Sequence, residues 1–265
     1  MQQPLKLDGR VAIVTGAGSS GPGMGTGKAT SVLFAREGAR VVLVDKFEDR
    51  AKETLVLIEE EGGEATIITA DLAEMAVCQD VVDEAVARFG TVDILVNNAA
   101  VASSTGILET TPELYQQIIA VNLTAPFMLT KAVIPMMVQR GGGAIVHITS
   151  IAAMRGSGGA GQTAYATAKA GLMGMMIDVA DAFGTQGIRV NCIAPGLIDT
   201  PMRAQAMKQA GLDPKEVDLS GKTSLGYVGD AWDIARAALF LAGPDGRYIT
   251  GVLLPVDGGA TARSH

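Results

Sequence analysis

The chain has 265 residues, 48% of them hydrophobic and 18% charged, with a formal net charge of −7. That length and apolar content suit one large α/β domain over 1–265 rather than a small disulfide scaffold. The acidic balance, with no run of Lys and Arg, is the opposite of a nucleic-acid footprint.

The opening MQQPLKLDGR lacks the apolar core of a signal peptide, and no apolar run reaches membrane-spanning length, so a cytoplasmic protein off the membrane is expected. Short β-branched runs predict strands over 11–15, 41–45, 65–69, 94–97, 145–149, 190–193 and 252–256. Helical patterns separate them over 28–37, 50–61, 75–89, 112–137, 165–186 and 230–242. The strands are apolar at successive positions, as helices on both faces require. A doubly wound parallel α/β sheet of about seven strands follows, with its ligand at the carboxyl ends of the strands.

Behind the first strand stands TGAGSSGPGMGTGK, residues 15–28. Such glycine density lets backbone approach a pyrophosphate, and the following helix N-terminus offers unpaired N–H groups. Gly16, Gly18 and Gly21 match GxGxxG, but a helix cannot begin at Pro22-Gly23-Met24-Gly25, so the loop is longer than usual. Either Gly23-Met24-Gly25 or Gly25-Thr26-Gly27 closes it, and helix register favours the second. Asp45, ending the second strand, is placed to accept hydrogen bonds from ribose hydroxyls and to repel a 2′-phosphate, which favours NAD over NADP. Lys46 is the cation that complicates this preference.

Tyr165 and Lys169 lie four apart, on one face of a helix. An ammonium there would favour phenolate and lower the Tyr165 pKa, fitting the pair for proton transfer to or from an alcohol or ketone. Ser150 ends the fifth strand and Asn122 lies in the helical segment before it.

In this order the motifs resemble the classical short-chain dehydrogenase/reductase family over essentially the whole chain. The carriers are TGAGSSGPGMGTG, Asp71-Leu72, Asn97-Asn98-Ala99-Ala100, Asn122, Ser150, Tyr165 with Lys169, Pro195-Gly196 with Thr200, and Val256-Asp257-Gly258-Gly259. The resemblance implies a Rossmann-like fold and cofactor contacts from Gly16, Met24, Thr26, Asp45, Asp71, Leu72, Asn98, Ala99, Tyr165, Lys169, Ile198 and Thr200. It further implies that Ser150 holds the reacting oxygen, Tyr165 moves the proton, Lys169 holds the nicotinamide ribose and Asn122 anchors a relay water. A subunit interface on the Tyr165 helix, and hence a homotetramer, is implied as well.

Three departures accompany the resemblance: the long glycine loop, the 15-position spacing from Ser150 to Tyr165 that leaves Ser157 as a second candidate, and Ala100 where the family has glycine. His147 reads as a satisfied core histidine, Cys78 and Cys192 as buried thiols, and Met173, Met175 and Met176 as helix packing. No metal site is expected. Residues 197–226 read as an aperiodic substrate lid. Met154, Leu197 and Met202 suggest an apolar pocket for a secondary alcohol or ketone, cyclic or aromatic. The alternatives are an NADPH-dependent 3-oxoacyl-thioester reductase and a non-catalytic nucleotide-binding scaffold or redox sensor.

Overall fold

The computed structural model describes residues 5–156, 161–209, 211–214 and 217–263. Ser157 lies outside them. In chain order the elements begin β1 (Val11–Thr15), α1 (Thr26–Arg36), β2 (Arg40–Asp45), α2 (Glu48–Glu60), β3 (Glu64–Thr69), α3 (Val77–Phe89) and β4 (Ile94–Asn97). Then come α4 (Pro112–Ile119), α5 (Ala125–Arg140), β5 (Gly143–Ile148), α6 (Thr163–Phe183) and β6 (Ile188–Pro195). The chain closes with β7 (Ile198–Asp199), α7 (Pro201–Gln209), β8 (Gly229–Asp230), α8 (Ala231–Ala242) and β9 (Leu253–Val256).

Seven parallel strands form the sheet in the order β3-β2-β1-β4-β5-β6-β9, and β7 pairs with β8 beside it. The order reverses between β1 and β4, which opens a crevice at the carboxyl ends of those strands. In β1 the alternation is visible residue by residue: Ala12 and Val14 join one core, Val11 and Ile13 the other. The first core packs α1, α2 and α8, through Phe34, Ile58 and Ile234. The second packs α3, α5 and α6, through Val81, Leu129 and Leu172. Each such fully buried side chain contributes about 1.5–3 kcal/mol relative to exposure.

Three expectations need correction. The helix expected over 112–137 is two α-helices joined by a five-residue π-helical turn, Ala120–Thr124. The joined stretch Pro112–Arg140 runs 29 residues at a mean hydropathy of 1.5, so a segment long and apolar enough to cross a membrane does exist by length and composition. Its Leu129, Val133 and Met137 are buried against the sheet, while Phe127 and Val138 are exposed. The region expected as an aperiodic lid holds a helix, α7, and a 3₁₀ turn at Ser220–Lys222 among its described residues.

Candidate active site

One cleft of about 620 Å³ opens at the strand carboxyl ends and runs from Asp45 and Asp71 to Ser150 and Tyr165. Its glycine-loop end is made by backbone. Gly16 has φ +62°, and a Cβ there would stand 2.9 Å from the Ala99 Cα. A Cβ on Gly27 would fall 2.0 Å from the Gly16 carbonyl oxygen, so the start of α1 lies directly against the strand-to-loop turn. The helix begins at Thr26, two residues before the expected Lys28, with Gly25 as its cap. Gly25-Thr26-Gly27 is therefore the triplet at the helix entrance.

Side chains around the loop hold it. Thr15 Oγ1 accepts the N–H groups of Asn98 and Ala99, each at 3.0 Å. Asn98 Nδ2 donates to the Thr15 and Gly16 carbonyls at 2.9 and 3.1 Å, and Thr26 Oγ1 donates to Asn98 Oδ1 at 2.7 Å. Ser19 pins the extra residues, accepting from Gly25 N–H at 2.8 Å and donating to the Gly23 carbonyl at 3.1 Å. Gly16, Thr26, Asn98 and Ala99 line the cleft. Met24 lies elsewhere: it packs against Ala29, Ala231 and Ala235, because the long loop carries it over α8.

At the far end, Asp45 Oδ2 accepts the Gly18 N–H at 2.9 Å and Oδ1 accepts the Phe47 N–H at 3.0 Å. Leu72 and Asp71 stand beside it on the cleft wall. Lys46 reaches Asp71 at 2.6 Å, which holds that carboxyl below its ordinary range and occupies the lysine. Arg50, which motif reading passed over, also lines the cleft and stacks 4.0 Å above the Phe47 ring. Only the fold brings it, one turn into α2, beside the glycine loop.

Ser150, Tyr165 and Lys169 converge on the cleft, and Asn122 lies buried in the π turn that packs against α6. Ser150 caps a short 3₁₀ turn, its Oγ accepting the Ala152 N–H at 3.1 Å, and it hydrogen-bonds Tyr165. Lys169 Nζ donates to the Ile148 carbonyl at 2.8 Å and stands 5.7 Å from the Tyr165 ring centre. The Lys169 carbonyl accepts from Thr149 Oγ1 at 2.8 Å, tying α6 to the end of β5. Fully buried Asn122 sits within the π turn, accepting from Val101 N–H at 2.8 Å and donating to its carbonyl at 2.9 Å. Its side chain thus holds the loop after β4. π turns inside helices often mark functional sites for this reason: they redirect one backbone group.

The expected depression of the Tyr165 pKa is reversed. Desolvation by the cleft walls pushes the phenol up, opposed by its hydrogen bond to Ser150, while burial pushes Lys169 down to about 8. Removal of water from each group sets both directions, and Nζ is turned toward the Ile148 carbonyl.

Ile198, Thr200, Leu197 and Met202 also line the cleft, as do the polar Ser103, Gln117, Gln162 and Arg155. Met154 does not: it is 40% exposed outside the cleft. Ala100 lines the cleft without closing it. His147 is buried but only half satisfied, since Asn97 Nδ2 meets its Nδ1 at 3.0 Å while Nε2 has no partner among the described residues. Cys78 and Cys192 are free and buried. Met176 is core, and Gly171 approaches Leu123 of this chain.

A family model described as Enoyl-(Acyl carrier protein) reductase matches residues 21–261. A short-chain dehydrogenase/reductase from Burkholderia xenovorans superposes with a TM-score of 0.91 at 40% identity, covering 98% of this chain and 99% of its own. The chain belongs to the short-chain dehydrogenase/reductase family. A 2,5-dichloro-2,5-cyclohexadiene-1,4-diol dehydrogenase of Sphingobium indicum is 38% identical over 96% of this short-chain dehydrogenase/reductase and 97% of its own length. Carveol dehydrogenase from Mycobacterium avium, solved with NAD, has a TM-score of 0.89 at 28% identity, covering 97% and 99%. A 2-deoxy-D-gluconate 3-dehydrogenase from Agrobacterium tumefaciens, solved with NADP, has a TM-score of 0.85 at 33% identity, covering 99% and 100%. This family member is an oxidoreductase of nicotinamide cofactors, and its cleft fits one: glycines let the strand-to-helix turn close tightly, with the start of α1 and its unpaired N–H groups at the cleft wall.

Proposed function

We propose that the protein is an NAD(H)-dependent enzyme interconverting a secondary alcohol and a ketone on an apolar cyclic or aromatic substrate. The observation that carries this is the joining, in one cleft, of the Ser150–Tyr165–Lys169 group with the glycine turn and Asp45. The nicotinamide, when bound, supplies or accepts the hydride. The protein's part is to hold the oxygen and move its proton. Ser150 Oγ already accepts from Ala152, and its O–H, which faces the Tyr165 phenol, is the donor that a bound substrate oxygen would share. Tyr165 gives its phenolic proton to that oxygen in reduction and takes the alcohol proton in oxidation. Lys169, cationic below about pH 8, stabilises the phenolate that remains.

For the cofactor, Asp45 lines the cleft, where its charge would oppose the 2′-phosphate of NADP, and Lys46 is bridged to Asp71. Arg50 is the observation on the side of an NADPH-dependent 3-oxoacyl-thioester reductase. Leu197 and Met202 support an apolar substrate, and relatives named for a cyclohexadiene diol and for carveol are consistent with one. We read residues 197–226 as the lid over that substrate and the active form as a cytoplasmic homotetramer. A panel of cyclic secondary alcohols and ketones, followed at the nicotinamide absorbance, tests the chemistry. Tyr165→Phe is expected to lower turnover by about 10²–10⁴-fold with NADH affinity unchanged; turnover close to wild type would contradict the role given to Tyr165.

A further inference from the structure

Arg203 stands in the first turn of α7 and lines the cleft between Met202 and Ala206. Its Nη2 donates to Asp199 at 2.9 Å, but the pair is lopsided: the Arg203 side chain is 20% exposed and that of Asp199 is 73% exposed. A carboxylate standing mostly in water is screened and neutralises its partner weakly. The Nε and Nη1 groups of the same guanidinium are buried and have no acceptor among the described residues. Guanidinium does not shed its charge, so buried donors left open are costly unless something in the cleft accepts from them.

We propose that Arg203 is an oxyanion receptor of this cleft, binding a phosphate or carboxylate oxygen through its open donors. The proposal rests on the dinucleotide reading of the cleft and adds a cation beside a pocket expected to be apolar. Two sources present such an oxygen, the pyrophosphate of the cofactor and an acidic substituent of the substrate. Placement favours the first. Pro201, two residues earlier, sits 3.6 Å from where side chains on Gly21 and Gly23 would begin, so α7 covers the extended glycine loop. That loop carries no lysine or arginine between Thr15 and Gly27. A cation from the lid side therefore supplies charge the loop lacks.

The test compares the wild-type protein with Arg203→Gln and Arg203→Lys. Affinities for NADH, ADP-ribose and neutral adenosine are measured by calorimetric titration, and kcat/KM on pairs of cyclic ketones differing only in a ring carboxylate. If the oxygen belongs to the cofactor, Arg203→Gln loses about 10-fold or more in the ADP-ribose to adenosine affinity ratio. If it belongs to the substrate, the same loss falls on the carboxylated to neutral kcat/KM ratio. Arg203→Lys, keeping the charge but not the planar fork, recovers part of either loss. A merely structural role would lower the melting temperature and leave both ratios alone. Both ratios unchanged while the wild-type protein binds NADH overturns the proposal alone; no NADH binding by the wild-type protein overturns the dinucleotide reading and the proposal with it.

Discussion

Burial decides more at the level of single residues than spacing does. Tyr165 and Lys169 stand four apart as a helix face requires, yet the phenol is pushed up, because four positions of sequence carry no information about the walls around them. His147 shows the same logic with a measurable consequence. Burial, assisted by the nearby Lys169 charge, lowers its pKa from 6.5 to about 3. Between those values the unfolded chain binds a proton that the native state refuses, so stability is full above pH 6.5 and falls as pH drops toward 3. The slope is at most about 1.4 kcal/mol per pH unit. His147→Asn, which keeps an acceptor for Asn97, is expected to flatten the stability curve from urea unfolding between pH 6.5 and 4 relative to wild type. Parallel curves would show that His147 is not held neutral by the fold. That Ser150, Tyr165 and Lys169 share one cleft was legible because their motifs have fixed order. Arg50 and Arg203 were not, since each reaches the cleft only through the folding of an element whose own sequence is ordinary.

Helix boundaries and loops show where local pattern runs out. The period of apolar residues continues unbroken through 112–137, and nothing in it announces the π turn. The turn belongs to Asn122, whose side chain bonds both backbone groups of Val101, 21 residues away. The glycine loop was recognised as a phosphate-sized turn, while its extra residues displaced Met24 into the packing of α8. At Gly27 the close approach gives a sharp test. A methyl group there meets the Gly16 carbonyl and the Asn98 amide, so Gly27→Ala is expected to cost about 1–3 kcal/mol of stability and at least 10-fold in NADH affinity. Gly184→Ala serves as the comparison: φ −59° and ψ −39° suit alanine and nothing lies within 4 Å, so stability should hold or rise by about 0.5 kcal/mol. Equal behaviour of the two variants, by chemical denaturation and titration, would mean that the Gly16–Gly27 contact does not shape the site.

For the whole molecule, the parallel sheet and its two covering layers were readable because strands buried on both faces are apolar at every position. The outer faces of those layers carry exposed apolar groups. Phe127 on α5 is 54% exposed and Ile177 on α6 is 60% exposed, large apolar groups on adjacent covering helices. They support the homotetramer read above, and scattering at micromolar concentration should return about four times the 27.3 kDa chain mass; a particle of one chain mass would remove it. The central claim, that this cleft takes NAD(H) to transfer hydride, is tested most directly by titrating the purified protein with NADH and NADPH side by side. We predict NADH binding at least 10-fold tighter, as the Asp45 carboxylate and the bridged Lys46 require. Tighter binding of NADPH, or binding of neither, would contradict the account.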